Sequence, residues 1–147
     1  MRELRPDEVE SVGRHLPLSR LRQEADERSI YFVAWEDTVP VGHAHVAWGE
    51  THLGLPEIQD VFVLPELRRR GIASRLTHAA EAEARARGWD RICLSVSQDG
   101  NLAASRLYAK LGYVDAGAEP VPVLGQVMLR TGPVEVDDTL VYLVKEL

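Results

Sequence analysis

Between residues 57 and 76 a short apolar run meets a proline, three consecutive arginines and a glycine, and then an alanine-rich pattern of helical period. No other part of the chain restricts the fold as much. The β-branched, aromatic character of 57–63 predicts a strand, which Pro65 stops. Ile72, Leu76, Ala79 and Ala80 form one apolar stripe, so 71–87 is predicted helical, with Gly88 just past its end. A helix starting so soon after a strand must fold back onto the sheet, with its amino terminus beside the strand's carboxyl end. The first amides of such a helix lack intrahelical partners and sit at the positive end of its dipole, so they can hold an anion such as a phosphate. Gly71 lets the backbone approach that anion and Ala73 keeps the helix face clear of side chain. Arg68, Arg69 and Arg70 add positive charge. Neither a Gly-x-x-x-x-Gly-Lys-Ser/Thr loop nor a Gly-x-Gly-x-x-Gly fingerprint is present, so the turn is not that of a P-loop or a dinucleotide fold.

The rest of the chain supplies the sheet. Residues 3–4 can begin a first strand, and Asp7 is placed to cap a helix reaching about residue 15, with Val9, Val12 and Leu16 on one side. A second, highly charged helix is predicted over 18–28 from Leu18, Leu21 and Ala25. Strands over 29–36 and 41–48 flank a turn at 37–40 and form a hairpin. A strand follows over 91–97, then a turn at 98–100, a helix over 101–111 and a strand start at 113–114. Glycine and proline crowd 116–136, where only a short strand at 126–129 is predicted, and 139–144 closes the chain as a strand. The order β, α, α, β, β, β, α, β, α, β, β describes one α/β domain over 1–147. It has a single central mixed sheet of six or seven strands, antiparallel in its amino-terminal part, and about four helices.

At 147 residues the chain can bury a core without staples. A formal net charge of -6 argues against a nucleic-acid partner, which wants a basic face. The arginines at 68–70 are a local exception suited to a small polyanion, while the acidic remainder favours approach of cationic substrates such as amines. No apolar run reaches the length of a membrane span, and residues 1–7 lack the apolar core of a secretory signal. Cys93 is the single cysteine, which excludes an intrachain disulfide and fits a reducing cytoplasm. Within a strand it reads as a small buried apolar residue. His43 and His45 point to one face of their strand but have no companions at metal-ligand spacing, so no metal site is expected.

A second motif stands about thirty residues after the first. Asn101, Ala104, Ser105 and Tyr108 fall at i, i+3, i+4 and i+7 on one helix face, and Leu111-Gly112-Tyr113 closes the segment. Ala103, Leu107 and Leu111 lie on an adjacent face that can pack inward. On the residues alone, Asn101 is an apt N-cap, Tyr108 a core aromatic, and Gly112 a helix-ending glycine. Taken together, Arg68-x-x-Gly71-x-Ala73 and Asn101-x-x-Ala104 with Tyr108 and Leu111-Gly112-Tyr113 resemble the two signatures of the GNAT N-acetyltransferase superfamily. They stand in the family's order and on its elements, and the resemblance in element order covers essentially the whole chain.

The resemblance implies acetyl-CoA, or a related acyl-CoA, as cosubstrate. Its pyrophosphate would sit on the amides of Arg69, Arg70, Gly71, Ile72, Ala73 and Ser74. Its pantetheine arm would run beside Val61, Phe62 and Val63, where two parallel strands splay, with Asn101 and Ser105 among the contacts. A primary amine would attack the thioester directly, with a backbone N–H near Val61 or Phe62 polarising the carbonyl and Tyr108 as general acid toward the thiolate. The amine must first lose a proton, for which Glu57, Asp60 and an ordered water are candidates, Glu57 ahead of Asp60. Some relatives carry a glutamate base where Gln59 stands, and Gln59 cannot take a proton. Glu57 and Asp60 point to opposite faces of an ideal strand unless a bulge intervenes. The expected acceptor is a small-molecule amine. A protein amino terminus or lysine, and a CoA-binding module without turnover, are the alternatives. The late strands can pair across a two-fold axis, as in many relatives, so a homodimer is a further expectation.

Overall fold

The computed structural model describes residues 1–16, 29–49, 51–100, 102–129 and 132–147. The predicted 18–28 helix and Asn101 lie outside these residues. The elements are β1 (Arg2–Glu3), a 3-10 turn (Pro6–Glu8) leading into α1 (Val9–Gly13), β2 (Ser29–Glu36), β3 (Val39–Ala47), β4 (Glu57–Val63), and a second 3-10 turn (Pro65–Leu67). There follow α2 (Ile72–Ala86), β5 (Arg91–Ser97), α3 (Leu102–Lys110), β6 (Val114–Asp115), β7 (Val121–Leu129) and β8 (Gly132–Glu146). All the strands join one mixed sheet in the order β1-β2-β3-β4-β5-β8-β6, with β7 also paired to β8. β4 and β5 form its parallel pair.

β4 and β5 occupy the residues predicted for them, because each reads as a strand from its own local pattern. The ends of the chain differ. α1 stops at Gly13, and the residue before it is Glu8 rather than Asp7, with no side-chain cap bond. The Glu8 carboxylate instead accepts the Arg5 N–H at 3.0 Å and pairs with the Arg2 guanidinium at 2.6 and 2.7 Å. In the last third, β7 and β8 form a long hairpin where glycine and proline predicted little, and the sheet has eight strands. Pro122 lies on β7, which pairs only with β8 among the described residues, and Pro133 near the start of β8, both tolerated positions. Gly125, with a φ of 127°, lies within β7 without breaking its register with β8, and Gly132, with a φ of 126°, opens β8.

Ile72, Leu76, Ala80 and Ala84 of α2 recur every fourth residue, all buried, and pack with Ile30, Phe32, Ala44, Val46 and Ile58 of the sheet. The intervening strand residues Tyr31 and Val33 meet Leu4, Val12 and Leu16 on the opposite face. Gly42 sets how closely α2 approaches. A Cβ there would lie 2.9 Å from the Phe62 carbonyl oxygen and 3.3 Å from Leu76 Cδ1. The buried Glu81 carboxylate accepts hydrogen bonds from Tyr113 Oη at 2.8 Å and Lys145 Nζ at 3.0 and 3.1 Å, tying α2 to the Leu-Gly-Tyr segment and β8. On α3 the inward face carries Ala104 and Tyr108, with Leu111 just beyond the helix. Ala103 is exposed, so the inward face is rotated from the one predicted, and the reason is tertiary: the Tyr108 ring meets Tyr113 edge-on at 5.8 Å.

Candidate active site

Two departures from a regular sheet build the site. The first is a bulge. β3 and β4 run in register through Ala47↔Glu57, Val46↔Ile58 and His45↔Gln59, but the next partners are His43 and Phe62. β4 therefore carries one extra residue, and Asp60 absorbs it with a φ of 56°. In an unbroken strand Asp60 would share the face of Ile58. The bulge instead carries its carboxylate to the Tyr31 side, where Oδ2 accepts the Tyr31 hydroxyl at 2.9 Å and lies 3.9 Å from His43 Nδ1. Gln59 and His45 occupy that face too, so the bulge reverses the opposition of Glu57 and Asp60 expected of an ideal strand.

The second departure is the divergence of β4 and β5. Their parallel pairing consists of Glu57↔Cys93 and Ile58↔Leu94. Beyond it β5 stays with β8 and β4 with β3. The gap opens into a cavity of about 580 Å³ at the strands' carboxyl ends, lined by Glu57, Gln59, Asp60 and Val61 of β4, Ser95 and Ser97 of β5, Ala104 and Tyr108 of α3, and Tyr142 of β8. That is the usual ligand position in an α/β sheet.

Glu57 is only 6% exposed. Its Oε2 accepts a hydrogen bond from Gln59 Nε2, while Oε1 is buried without a hydrogen-bond partner among the described residues. Tyr108 is buried, and its hydroxyl has no hydrogen-bond partner among the described residues. Burial pushes it up to about 12, so it is a neutral O–H at physiological pH. Tyr142 is raised by burial and then by the negative charge of Glu57, and its ring stacks with His52 at 4.8 Å. Burial, then Glu57, raises the Cys93 thiol to about 12, which leaves it inert. Sequence reasoning did not find Tyr142. Nothing local marks it, because its place in the wall follows from the Ser95↔Tyr142 pairing.

Past Val63 the chain enters the arginine turn. Arg69 and Gly71 both take positive φ, 67° and 78°, an alternation around Arg70 that gathers successive amides. The first α2 bond in this turn runs from Arg75 N–H to the Gly71 carbonyl, leaving the amides of Ile72, Ala73 and Ser74 without helical acceptors. A Cβ on Gly71 would meet nothing within 4 Å, so conformation, not crowding, calls for glycine here. Arg68 is partly engaged elsewhere. Its Nε donates to the Val63 carbonyl at 3.0 Å and its guanidinium covers the Phe62 ring, fastening the turn to β4. Arg69 and Arg70 are exposed. The side chains of Val63 and Ile72 are buried in the core, so only their backbone is available to a ligand. Ser105 is half-buried and is not part of the cavity wall. Among the described residues no three His, Cys, Asp or Glu side chains converge as metal ligands.

A model of the acetyltransferase (GNAT) family matches residues 1–113. The chain belongs to that family. No curated protein matches it. Among solved structures, one similar protein is from Bacillus anthracis, provisionally named a streptothricin acetyltransferase and in complex with acetyl coenzyme A. It has a TM-score of 0.71 at 16% identity, covering 99% of this chain and 98% of that one. The ribosomal-protein-S18-alanine N-acetyltransferase from Escherichia coli has a TM-score of 0.70 at 17% identity, covering 98% and 90%. An IAA acetyltransferase from Bacillus cereus has a TM-score of 0.63 at 19% identity, covering 82% and 79%. These likenesses show the GNAT fold. Among the described residues no helix is long and apolar enough to cross a membrane.

Proposed function

We propose that residues 1–147 form one N-acetyltransferase domain that moves the acetyl group of acetyl-CoA to a primary amine of a small molecule. One observation carries the reading: a single cavity is lined by Glu57, whose buried Oε1 has no hydrogen-bond partner among the described residues, and by the neutral Tyr108, and the unpaired amides of α2 follow just past β4. Acetyl-CoA, present in the Bacillus anthracis relative, suits these residues. The positive-φ turn and the amides of Ile72, Ala73 and Ser74 form a concavity for its pyrophosphate, with Arg69, Arg70 and the more constrained Arg68 supplying charge. Val61, Phe62 and Val63 offer the pantetheine arm a strand edge, and Asn101 and Ser105 complete the proposed cofactor set.

Acetyl-CoA supplies an acyl group activated as a thioester, and the chain's own groups do the rest. Glu57 takes the proton of the incoming ammonium, leaving a nucleophilic amine. Asp60, on the same face, is the second candidate for that task. The amine nitrogen bonds to the acyl carbon as the carbon–sulfur bond breaks, and the nitrogen proton lost on amide formation goes, directly or through water, to the departing thiolate, which leaves as the CoA thiol. Val61 has no ladder partner on β3, and its N–H or that of Phe62 stabilises the developing negative oxygen. Tyr108 directs its O–H at the departing sulfur. A cavity walled by β4, β5, β8 and α3 suits a compact acceptor better than a protein segment. The acidic chain and its single buried thiol accord with a reducing cytoplasm. The edge of β7 away from β8, which has no strand partner among the described residues, and the exposed Leu124 accord with a homodimer, which sedimentation measures.

Calorimetric titration of acetyl-CoA, with dephospho-CoA and adenosine diphosphate as comparisons, tests the reading. One-site binding that weakens at least about tenfold in Gly71→Val is the expected result, because valine strains the positive φ and crowds the amides. Absence of binding by every CoA species refutes the transferase function. An amine screen then separates small-molecule from peptide acceptors.

A further inference from the structure

We propose that Gln59 and His45 are positioning residues that aim the Glu57 carboxylate at the acceptor amine, which rests on the reading of Glu57 as the base. Glu57 and Gln59 are alternate residues of β4, and His45 stands directly across from Gln59 on β3. Gln59 Nε2 donates to Glu57 Oε2, and Gln59 Oε1 lies 3.1 Å from His45 Nδ1. The chemistry of the three groups orders this chain. An ionised carboxylate only accepts, so Gln59 must turn its NH₂ toward Glu57. Its carbonyl then faces the imidazole, and Nδ1 must carry the proton.

The consequence falls on the free oxygen. With Oε2 occupied, rotation of the carboxylate is restricted, and the buried Oε1 is the oxygen left without a hydrogen-bond partner among the described residues, on a residue that lines the cavity. A base held in one orientation spares the reaction the entropy of finding it. Gln59, which cannot take a proton, thereby has a use at the site: it orients the residue that can. His45 is itself held in place, with its ring 4.7 Å from that of Tyr31. The titratable groups around this chain are Cys93 of β5, Tyr142 of β8, Tyr31 of β2, His43 of β3 and Asp60 of β4. None of them is altered in the variants below.

Two measurements test the proposal. The first needs no acceptor: nitrogen-15 spectra of the wild-type His45 imidazole should show the proton on Nδ1, and a bare Nδ1 overturns the proposal. The second follows acetyl-CoA turnover with a panel of primary alkylamines in Gln59→Met, His45→Phe, His45→Asn and Glu57→Gln. Gln59→Met and His45→Phe should lower kcat about tenfold or more with KM for acetyl-CoA unchanged, whereas His45→Asn, which keeps an N–H near the Nδ1 position, should stay within about threefold of wild type. Unchanged kcat in Gln59→Met and His45→Phe, with Glu57→Gln impaired, overturns the positioning role alone. Full activity in Glu57→Gln removes the base assignment, and the proposal with it. If no alkylamine is turned over, the tautomer measurement decides.

Discussion

Tyr108→Phe removes one oxygen and leaves the ring that packs against Tyr113. Burial has raised this phenol to about 12, whereas a free thiol lies near 8.5, so complete proton transfer to a free thiolate is uphill by about 5 kcal/mol. As the proposed acid, Tyr108 would therefore contribute mainly as a hydrogen bond to developing negative charge, worth about 1.5–3 kcal/mol. The expected fall in kcat is about 10- to 150-fold, at the lower end of what general acids supply. Because the hydroxyl bonds to no described residue, neutral-pH stability should change by less than about 1 kcal/mol, and acetyl-CoA should bind as before. The alkaline range supplies an internal check. The unfolded chain releases this proton near pH 10 and the folded chain near 12, so wild-type stability falls through that window, by up to about 2.7 kcal/mol from this residue, and the phenylalanine variant lacks that share. Thiol-release kinetics with titration calorimetry measure the first effect, and urea unfolding at a series of pH values the second. A kcat loss under about threefold refutes the acid role, and a neutral-pH destabilisation above about 2 kcal/mol refutes the claim that the hydroxyl is structurally free.

Gly42→Ala places a methyl 2.9 Å from the Phe62 carbonyl oxygen and against Leu76 and Ile72. It should cost about 1–3 kcal/mol, seen as a fall of about 3–10 °C in Tm, and an unchanged Tm would mean that α2 yields freely. Lys145→Met strands the buried Glu81 carboxylate and should cost about 3–5 kcal/mol in urea unfolding, much of it restored in Glu81→Met/Lys145→Met. The Arg2 guanidinium and then the Arg5 N–H hold Glu8 down at about 2. Its folded value is depressed, so its contribution is present above the unfolded carboxylate value near 4.3 and lost as pH falls from there toward about 2. Glu8→Gln should flatten acid unfolding in that window.

Much of the fold was legible because its signals are local. The β-branched and aromatic run at 57–63 marks β4, the alternation of Ile92, Leu94 and Val96 marks β5, and the apolar stripe of Ile72, Leu76, Ala79 and Ala80 marks α2. The spacing of Arg68, Gly71 and Ala73 to Asn101, Tyr108 and Tyr113 indicated the GNAT family, and the family match over 1–113 agrees. The β7–β8 hairpin was not legible. Proline and glycine weaken a strand on average, and only pairing shows that Pro122 stands on a strand with β8 as its one partner among the described residues and that Gly125 lies within that strand without ending it.

The candidate site divides the same way. The residue types at 57, 60, 71 and 108 come from the chain alone, as do the amides that any helix opening at residue 72 must leave unpaired. Which carboxylate faces which group does not. Asp60 changes face because β3 offers one residue, Ala44, where β4 presents two, Asp60 and Val61, and that count belongs to the pair of strands. Tyr142 enters the wall and Gln59 meets His45 for the same reason. Local propensity acts within a few residues, whereas register, bulge and burial are set by partners that the chain brings back from 14 to 85 positions away, as in His45 to Gln59 and Glu57 to Tyr142.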